Sequence, residues 1–194
     1  MPSSDRLILA SGSPRRRQLL AAAGYIFNVI LPDDSVECGV CSSEGPAALV
    51  AELAYRKAAN VARRAGAGLI IAADTVAECR GQILGKPVDQ DHARQMLQEL
   101  SGREHRVLSG VCLWRVPDGS PDVRVEVTTL KMDQLTEDQL QEYLDSDTWQ
   151  GKAGASGYQD GLDWITLLEG SESNVVGLPM ELLTTMLADA GYHD

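Results

Sequence analysis

The sequence predicts an α/β fold, and three observations support that prediction. Residues 7–20 have the pattern of a short apolar strand, a tight loop and a helix. The apolar run Gly68–Ala73 is typical of a buried strand. Residues 107–116 and 123–132 alternate loosely between apolar and polar positions around a turn at 117–120, which indicates two antiparallel strands. Segments of helical periodicity separate these strands, so both element types share one chain.

The composition is that of an ordinary globular domain. The 194 residues are 44% hydrophobic and only 5% aromatic, so aliphatic side chains must build the core. At this length we expect a single domain over residues 1–194. The net charge of −11 argues against a nonspecific nucleic-acid or membrane-surface binder. No charged-then-apolar stretch opens the sequence, so we expect no signal segment, and its apolar runs fall well short of the roughly 20 residues that span a bilayer. We therefore expect a cytoplasmic protein.

The strand–loop–helix at residues 7–20 has the features of an anion site. A glycine between Ser11 and Ser13 ends the apolar run, and Ser13 can cap a helix that begins at Pro14. Three arginines at 15–17 lie in the first turn, where cations oppose the positive end of the helix dipole. An anion at the helix N-terminus would remove this conflict. We expect a phosphate held by the two serines and one or two arginines; the alternative is a solvated basic turn.

The next segments add an acidic loop and an inward-facing lysine. A strand candidate, Tyr25–Leu31, precedes Asp33–Glu37, an acidic loop that is either solvated or holds a cation. A long helix is predicted from Pro46 to Ala65, with proline at its start and glycine after its end. Lys57 falls on the apolar stripe of this helix. Its ammonium must therefore be paired, line a cavity or reach the rim of the helix.

Asp74 and Thr75 follow the apolar run that we expect to end at Ala73. Ligands of α/β sheets bind beyond the carboxyl ends of strands. Asp74 is thus placed for a metal ion or for general-base work, with a capping or turn aspartate as the alternative. A hairpin is predicted over residues 76–84, and it leads to Lys86.

The second half of the chain contains structural helices and one glycine-rich loop. Asp89–Leu100 is predicted to be a capped helix, Thr136 opens a capping box, and residues 179–190 form a closing helix. Between the last two lies Gly151–Gly161, which contains Lys152. The loop either lets backbone approach a ligand or is merely flexible.

These candidate residues bring both signs of charge together. Asp74 and Glu37 supply carboxylates, and the cations come from the arginine turn and from Lys57, Lys86 and Lys152. Polyphosphate with a divalent metal is the ligand class that needs both signs. The chemistry favoured is attack of water on a phosphoanhydride, with growing charge neutralised by lysine and arginine.

Six motifs, in order along nearly the whole chain, resemble the signature motifs of the Maf family. They are Ser11-Gly-Ser-Pro-Arg-Arg, Ala73-Asp-Thr-Val, Gly85-Lys-Pro, Leu100-Ser-Gly, Lys152-Ala-Gly and Asn174-Val-Val-Gly-Leu-Pro. The resemblance implies an elongated, mixed twisted β-sheet flanked by helices, with a cleft between two lobes and frequent homodimers. It also implies a house-cleaning pyrophosphatase that converts nucleoside triphosphates to monophosphates with a divalent metal cation, Mg²⁺ or Mn²⁺.

The resemblance also implies roles for individual residues. The catalytic residues would be Asp74, Lys57 and Lys86, the metal ligands Asp74 and Glu37, and the phosphate-binding residues Ser11, Ser13, Arg15, Arg16 and Lys152. Arg15, Thr75 and Gln159 match the branch of the family that acts on dTTP and UTP. A nucleotide-binding regulator of cell division with little turnover is the alternative function.

Two stretches depart from the family pattern. The acidic loop has Asp-Asp-Ser-Val-Glu where the family usually has Val-Asp-Glu, which affects the assignment of Glu37. The glycine-rich loop has Ser156 where an aromatic residue is common and an additional Asp160 before its last glycine.

Overall fold

The computed structural model describes residues 6–37 and 44–192, apart from the side chain of Gln159. It is an α/β fold built on one mixed sheet of seven strands. The strands are β1 (Leu7–Leu9), β2 (Phe27–Val29), β3 (Gly68–Cys79), β4 (Gln82–Leu84), β5 (Glu104–Val116), β6 (Pro121–Met132) and β7 (Ile165–Glu169). The α-helices are α1 (Pro14–Ala22), α2 (Pro46–Ala65), α3 (Gln90–Leu100), α4 (Glu137–Asp145), α5 (Glu172–Val176) and α6 (Met180–Asp189).

The sheet order is β2-β1-β3-β5-β6-β7, with β4 paired to β3. β1 runs parallel to β2 and β3, and the other pairs are antiparallel. One edge of β3 meets two short partners, since β1 pairs with Leu69–Ile71 and β4 with Ala77–Cys79. Between these two stretches, that edge has no strand partner among the described residues. The gap in the sheet is where the candidate site lies.

The expectation that the central strand ends at Ala73 was wrong. β3 continues to Cys79 because its other edge pairs without interruption with β5, from Gly68 to Glu78. Asp74 is therefore inside a long strand. It nevertheless lies beyond the carboxyl end of β1, whose pairing with β3 stops at Ile71.

Helices cover both faces of the sheet. α2 packs on one face, where Ala54, Ala58 and Val61 meet Ile70 in a buried cluster. On the opposite face, α1 and α6 contribute to a second cluster around β1, β3 and β5. A third cluster joins α3 and α4 to the far half of the sheet. The core therefore has separate parts at the two ends of the sheet, with the cleft between them.

Close packing fixes the position of α2. A Cβ built on Gly110 of β5 would lie 2.2 Å from the Val50 carbonyl oxygen, so only glycine allows this approach. The 20-residue helix was predicted with the correct ends, and its inward stripe does include Lys57.

Other local predictions were confirmed. The Ser13 side chain caps α1, Asp89 caps α3, and Thr136 forms a complete capping box at α4. The short elements β7 and α5 were not predicted. Among the described residues, no helix has both the length and the apolar character needed to cross a membrane.

Candidate active site

A cleft of about 650 Å³ opens at the stretch of β3 between its pairings with β1 and β4. Its charged end is formed by the loop before α1, by Asp74 and Thr75 of β3, by Lys57 of α2, and by the segment that follows β4. The glycine-rich loop and the turn after α5 complete the wall. Six segments distant in sequence thus converge on one cavity.

Lys57 holds two carboxylates at the charged end of the cleft. The residue is only 5% exposed, and its ammonium contacts Asp74 Oδ1 through a short ion pair and Glu37 Oε1 at 2.7 Å. A buried ammonium requires such partners. The inward-facing lysine is therefore paired, and it also lines the cavity. Among the described residues, Lys57 is the only hydrogen-bond partner of the Asp74 carboxylate.

Glu37 occupies the exposed side of this group. It ends a short 3₁₀ helix, Asp34–Glu37, and 56% of its side chain is accessible. The hydrogen bond from Lys57 lowers the pKa of Glu37, and the positive charges of Lys57, Lys86 and Arg16 act in the same direction against the opposing effect of burial. Glu37 is therefore an ionised carboxylate next to Asp74, in the place where the acidic loop was expected to supply one.

Arg16 is a buried cation that contacts no carboxylate among the described residues. Its Nε donates to the Gly177 carbonyl oxygen at 2.7 Å, and its two terminal nitrogens donate to Ser11 Oγ and Thr75 Oγ1, each at 3.2 Å. Burial lowers the pKa of Arg16, with the charge of Asp74 opposing this. Because these acceptors are neutral, they fix the guanidinium without neutralising its positive charge. That charge is available to an anion in the cleft.

The hydroxyl of Thr75 belongs to the support of Arg16. Besides accepting from Arg16, it lies 2.7 Å from Ser109 Oγ and donates to the Gly177 carbonyl oxygen at 3.3 Å. Gly177 follows α5, and a Cβ there would meet the Thr75 hydroxyl and Arg16 Nε in a backbone conformation with φ of +120°. The segment after α5 thus holds the Arg16 side chain in place through the Gly177 carbonyl oxygen.

Arg15 and Lys152 connect α1 to the glycine-rich loop. The Arg15 guanidinium donates to the Gly151 carbonyl oxygen at 2.7 Å across the cleft. Lys152 is buried and forms a short ion pair with Asp160, whose Oδ2 also accepts from the Tyr143 hydroxyl at 2.7 Å. Asp160, the residue that departs from the family pattern, is therefore the counter-ion of Lys152.

Ser13 and Lys86 have more open positions. Ser13 Oγ accepts from the Arg16 backbone N–H at 3.5 Å as the cap of α1, and the Ser13 N–H donates to Ser11 Oγ at 3.2 Å. Lys86 is exposed, lines the cleft, and forms no ion pair with any residue in the described ranges. Its loop is tied to the glycine-rich loop by a 3.0 Å hydrogen bond from the Gly154 N–H to the Gly85 carbonyl oxygen.

The inner end of the cleft is apolar. The aliphatic residues that line it are Ala77, Leu100, Val107, Leu130, Ile165 and Val175. Tyr158 and His105 are the aromatic residues in the described part of its wall. The resemblance led us to expect an aromatic residue at position 156, where this chain has serine. The aromatic side chain of the glycine-rich loop that lines the cleft is Tyr158, two residues later.

The donor set at the charged end fits a hard divalent cation. Mg²⁺ is commonly bound through one or two carboxylates, with water and substrate phosphate oxygens completing the octahedron. Asp74 and Glu37 converge on one ammonium, so both carboxylates already face a common point. The described residues contain no group of three or more metal-ligating side chains. A cation held here would therefore depend on substrate oxygens.

The structure brings most of the sequence-predicted residues to one cavity. Those that line it are Ser11, Ser13, Arg15, Arg16, Glu37, Lys57, Asp74, Thr75, Lys86 and Lys152. The Gln159 side chain lies outside the described part. Sequence reasoning missed Ser109, the Gly177 carbonyl oxygen, His105, and the pairing of Asp160 with Lys152. Gly177 belongs to the Asn174-Val-Val-Gly-Leu-Pro motif, which marked the segment but not the role of the carbonyl oxygen. A single serine, a single aspartate and a lone histidine give no periodic signal from which their contacts could have been predicted.

Comparisons with known proteins cover nearly the whole chain. A family model described as "Maf-like protein" matches residues 6–190. The dTTP/UTP pyrophosphatase of Rhodopirellula baltica is 59% identical over 187 residues, which cover 96% of this chain and 82% of that protein. The protein of the same name from Carboxydothermus hydrogenoformans is 42% identical over 188 residues, covering 96% of this chain and 100% of that protein.

Solved structures give a fold-level likeness. A HAM1 protein from Coxiella burnetii superposes with a TM-score of 0.51 at 16% identity, and the match covers 95% of this chain and 98% of that chain. At this identity the likeness supports the mixed α/β architecture alone.

Proposed function

The chain belongs to the Maf family, and from that premise we propose that it is a nucleoside triphosphate pyrophosphatase. It hydrolyses the α–β phosphoanhydride of nucleoside triphosphates, with dTTP and UTP as the preferred substrates, and releases pyrophosphate and a monophosphate. This removes unwanted nucleotides from the pool. The observation that supports it best is the convergence, in one cleft, of a carboxylate pair with the buried cations Arg16 and Lys57.

The triphosphate takes the charged end of the cleft. Three neutral acceptors hold the Arg16 guanidinium in place, and its positive charge can bind a phosphate. Ser11 and Ser13 lie at the N-terminus of α1, where free backbone N–H groups favour phosphate. Lys86 and Arg15 also line the cleft. These cations offset the charge that grows on the bridging oxygen and on the leaving pyrophosphate.

Asp74 receives the proton of the attacking water. Its Oδ1 is engaged by Lys57, which leaves the second carboxylate oxygen for a water molecule or a cation in the cleft. Lys57 holds this carboxylate in a fixed rotamer, and it neutralises charge near the reacting phosphate. A divalent cation held by Asp74 and Glu37 would polarise the phosphate and help to orient the water.

Thr75 and Arg15 are two of the residues that match the dTTP/UTP branch, and each holds another part of the cleft in position. Thr75 anchors Arg16, and Arg15 ties α1 to the glycine-rich loop that carries Gln159. A change at either position alters the shape of the cleft around a bound nucleotide. We therefore include Arg15, Thr75 and Gln159 in the proposal as residues that set substrate preference.

The test is a substrate panel. Purified protein is incubated with Mg²⁺ or Mn²⁺ and each common ribo- and deoxyribonucleoside triphosphate, and pyrophosphate and monophosphate are quantified beside an Asp74→Asn variant. Release of pyrophosphate mainly from dTTP and UTP, lost in Asp74→Asn, is the expected result. Tight nucleotide binding without turnover would overturn the proposal and favour a nucleotide-binding regulator.

A further inference from the structure

The inner end of the cleft has a chemistry that a triphosphate does not need. Aliphatic residues from β3, α3, β5, β6 and β7 line it, and they surround two aromatic side chains, Tyr158 and His105. Asp74, Glu37, Lys57 and Arg16 lie at the other end, and the charge of Lys152 next to the apolar end is paired with Asp160. A cavity with one charged and one apolar end matches a nucleotide, whose phosphates and base differ in the same way.

His105 is the polar residue of this apolar end. It lies on β5 opposite Leu130 of β6 and is only 4% exposed, yet its ring forms part of the cleft wall. Its Nδ1 is buried and has no hydrogen-bond partner among the described residues. Buried polar atoms in folded proteins are nearly always paired, so an unpaired one in the wall of a cavity calls for a partner from that cavity, either water or a ligand.

The ring is neutral under ordinary conditions. Burial lowers the pKa of His105, and a contact with the Arg103 backbone acts in the opposite direction. A neutral imidazole has one N–H and one nitrogen that accepts a hydrogen bond. A half-turn about the second side-chain torsion exchanges Nδ1 with Cδ2 and leaves the outline of the ring nearly unchanged, so the buried ring can present its accepting nitrogen to a ligand in the cleft.

We propose, building on the function proposed above, that this inner end binds the base and that His105 is a specificity-determining residue for bases with an imide N–H. Uracil and thymine carry an N3–H donor, which the unpaired imidazole nitrogen accepts. Cytosine presents an acceptor at the same ring position and leaves the imidazole unpaired or forces a change of tautomer. Tyr158 offers the aromatic face on which the base stacks.

The experiment compares UTP with CTP, which share ribose and triphosphate and differ at this edge of the base. We expect the wild-type protein to have the higher kcat/KM for UTP. His105→Leu should lower kcat/KM for UTP by about tenfold, the effect of one lost hydrogen bond, and change the value for CTP much less. His105→Asn, which retains a polar group near the Nδ1 position, should keep more of the UTP preference and remains usable if the leucine variant does not fold.

Inorganic tripolyphosphate serves as the ligand without a base. Its inhibition constant against UTP hydrolysis should be the same in the wild type and both variants, because tripolyphosphate has no base to contact His105. An unchanged ratio of UTP to CTP activity in both variants would overturn the inference and leave the pyrophosphatase intact. A parallel loss of tripolyphosphate inhibition would also overturn it. A wild-type protein that releases no pyrophosphate from any nucleotide would instead remove the proposed function, and this inference with it.

Discussion

Replacing Arg16 with lysine tests the arrangement that supports the charged end of the cleft. The guanidinium bonds three acceptors on three segments: Gly177 at 2.7 Å, and Ser11 and Thr75 at 3.2 Å each. Lysine keeps the charge, but its single nitrogen cannot reach all three, so we count two bonds as lost. Hydrogen bonds to charged groups contribute about 1.5–3 kcal/mol each. The lower value applies, because both hydroxyl acceptors have other polar partners.

The expected loss in the free energy of unfolding is therefore about 3 kcal/mol. For a domain of this size that corresponds to a fall in Tm of roughly 6–12 °C. Urea unfolding followed by circular dichroism measures the change in the free energy of unfolding. Arg17→Lys is the matched control, since Arg17 is exposed in the same helical turn, and its effect should stay within about 0.5 kcal/mol. A loss below about 1 kcal/mol for Arg16→Lys, or one equal to that of Arg17→Lys, would refute this reasoning.

Three further perturbations follow from the same contacts. Asp160→Asn removes the counter-ion of buried Lys152 and should lower the free energy of unfolding by about 3–5 kcal/mol. Asp145→Asn, at an exposed position of α4, should not, and an effect of equal size in the two variants would contradict the pairing. Glu37→Gln should raise the Mg²⁺ concentration needed for half-maximal pyrophosphate release with a smaller change in kcat, and an unchanged metal titration would exclude Glu37 as a ligand. Burial lowers the pKa of His105 in the folded protein below its usual 6.5, so the unfolded chain binds the proton first and stability falls as the pH drops below about 6.5. Between pH 7 and pH 5 the Tm should therefore fall less in His105→Asn than in the wild type. Equal falls in Tm would argue against the buried neutral ring.

Local signals were sufficient for the larger elements. The capping residues Ser13, Asp89 and Thr136 act within one turn of the chain, so each was predictable from its immediate neighbours. The same holds for α2, whose proline, apolar stripe and terminal glycine are all local. The inward position of Lys57 followed from that stripe alone.

Features that depend on pairing between distant segments were not predictable in the same way. Nothing near Asp74 signals that β5 continues to pair past it, so the strand was expected to end there. β7 and α5 have five residues each, too few for a period to emerge. The support of Arg16 by Gly177 spans 161 positions, and a backbone carbonyl carries no sequence signal.

The cluster of cations and carboxylates was predicted from residue types, while its geometry came only from the fold. Lys57 was expected to be paired, to line a cavity or to reach the rim of its helix, and its simultaneous contact with Asp74 and Glu37 depends on how a 3₁₀ helix, α2 and β3 pack together. Lys152 was expected to face phosphate, and the structure adds Asp160 as its partner. The departure from the family pattern at Asp160 thus has a physical role in this chain.

The most direct test of the central claim is the identity of the products formed from dTTP. ³¹P NMR of a reaction run in ¹⁸O-labelled water with Mg²⁺ distinguishes the two anhydride bonds, and the isotope shift shows which phosphorus the water attacked. Hydrolysis at the α–β bond predicts pyrophosphate and dTMP as the initial products, with the label on one of them. Initial release of inorganic phosphate and dTDP would mean cleavage of the β–γ bond and would contradict the account.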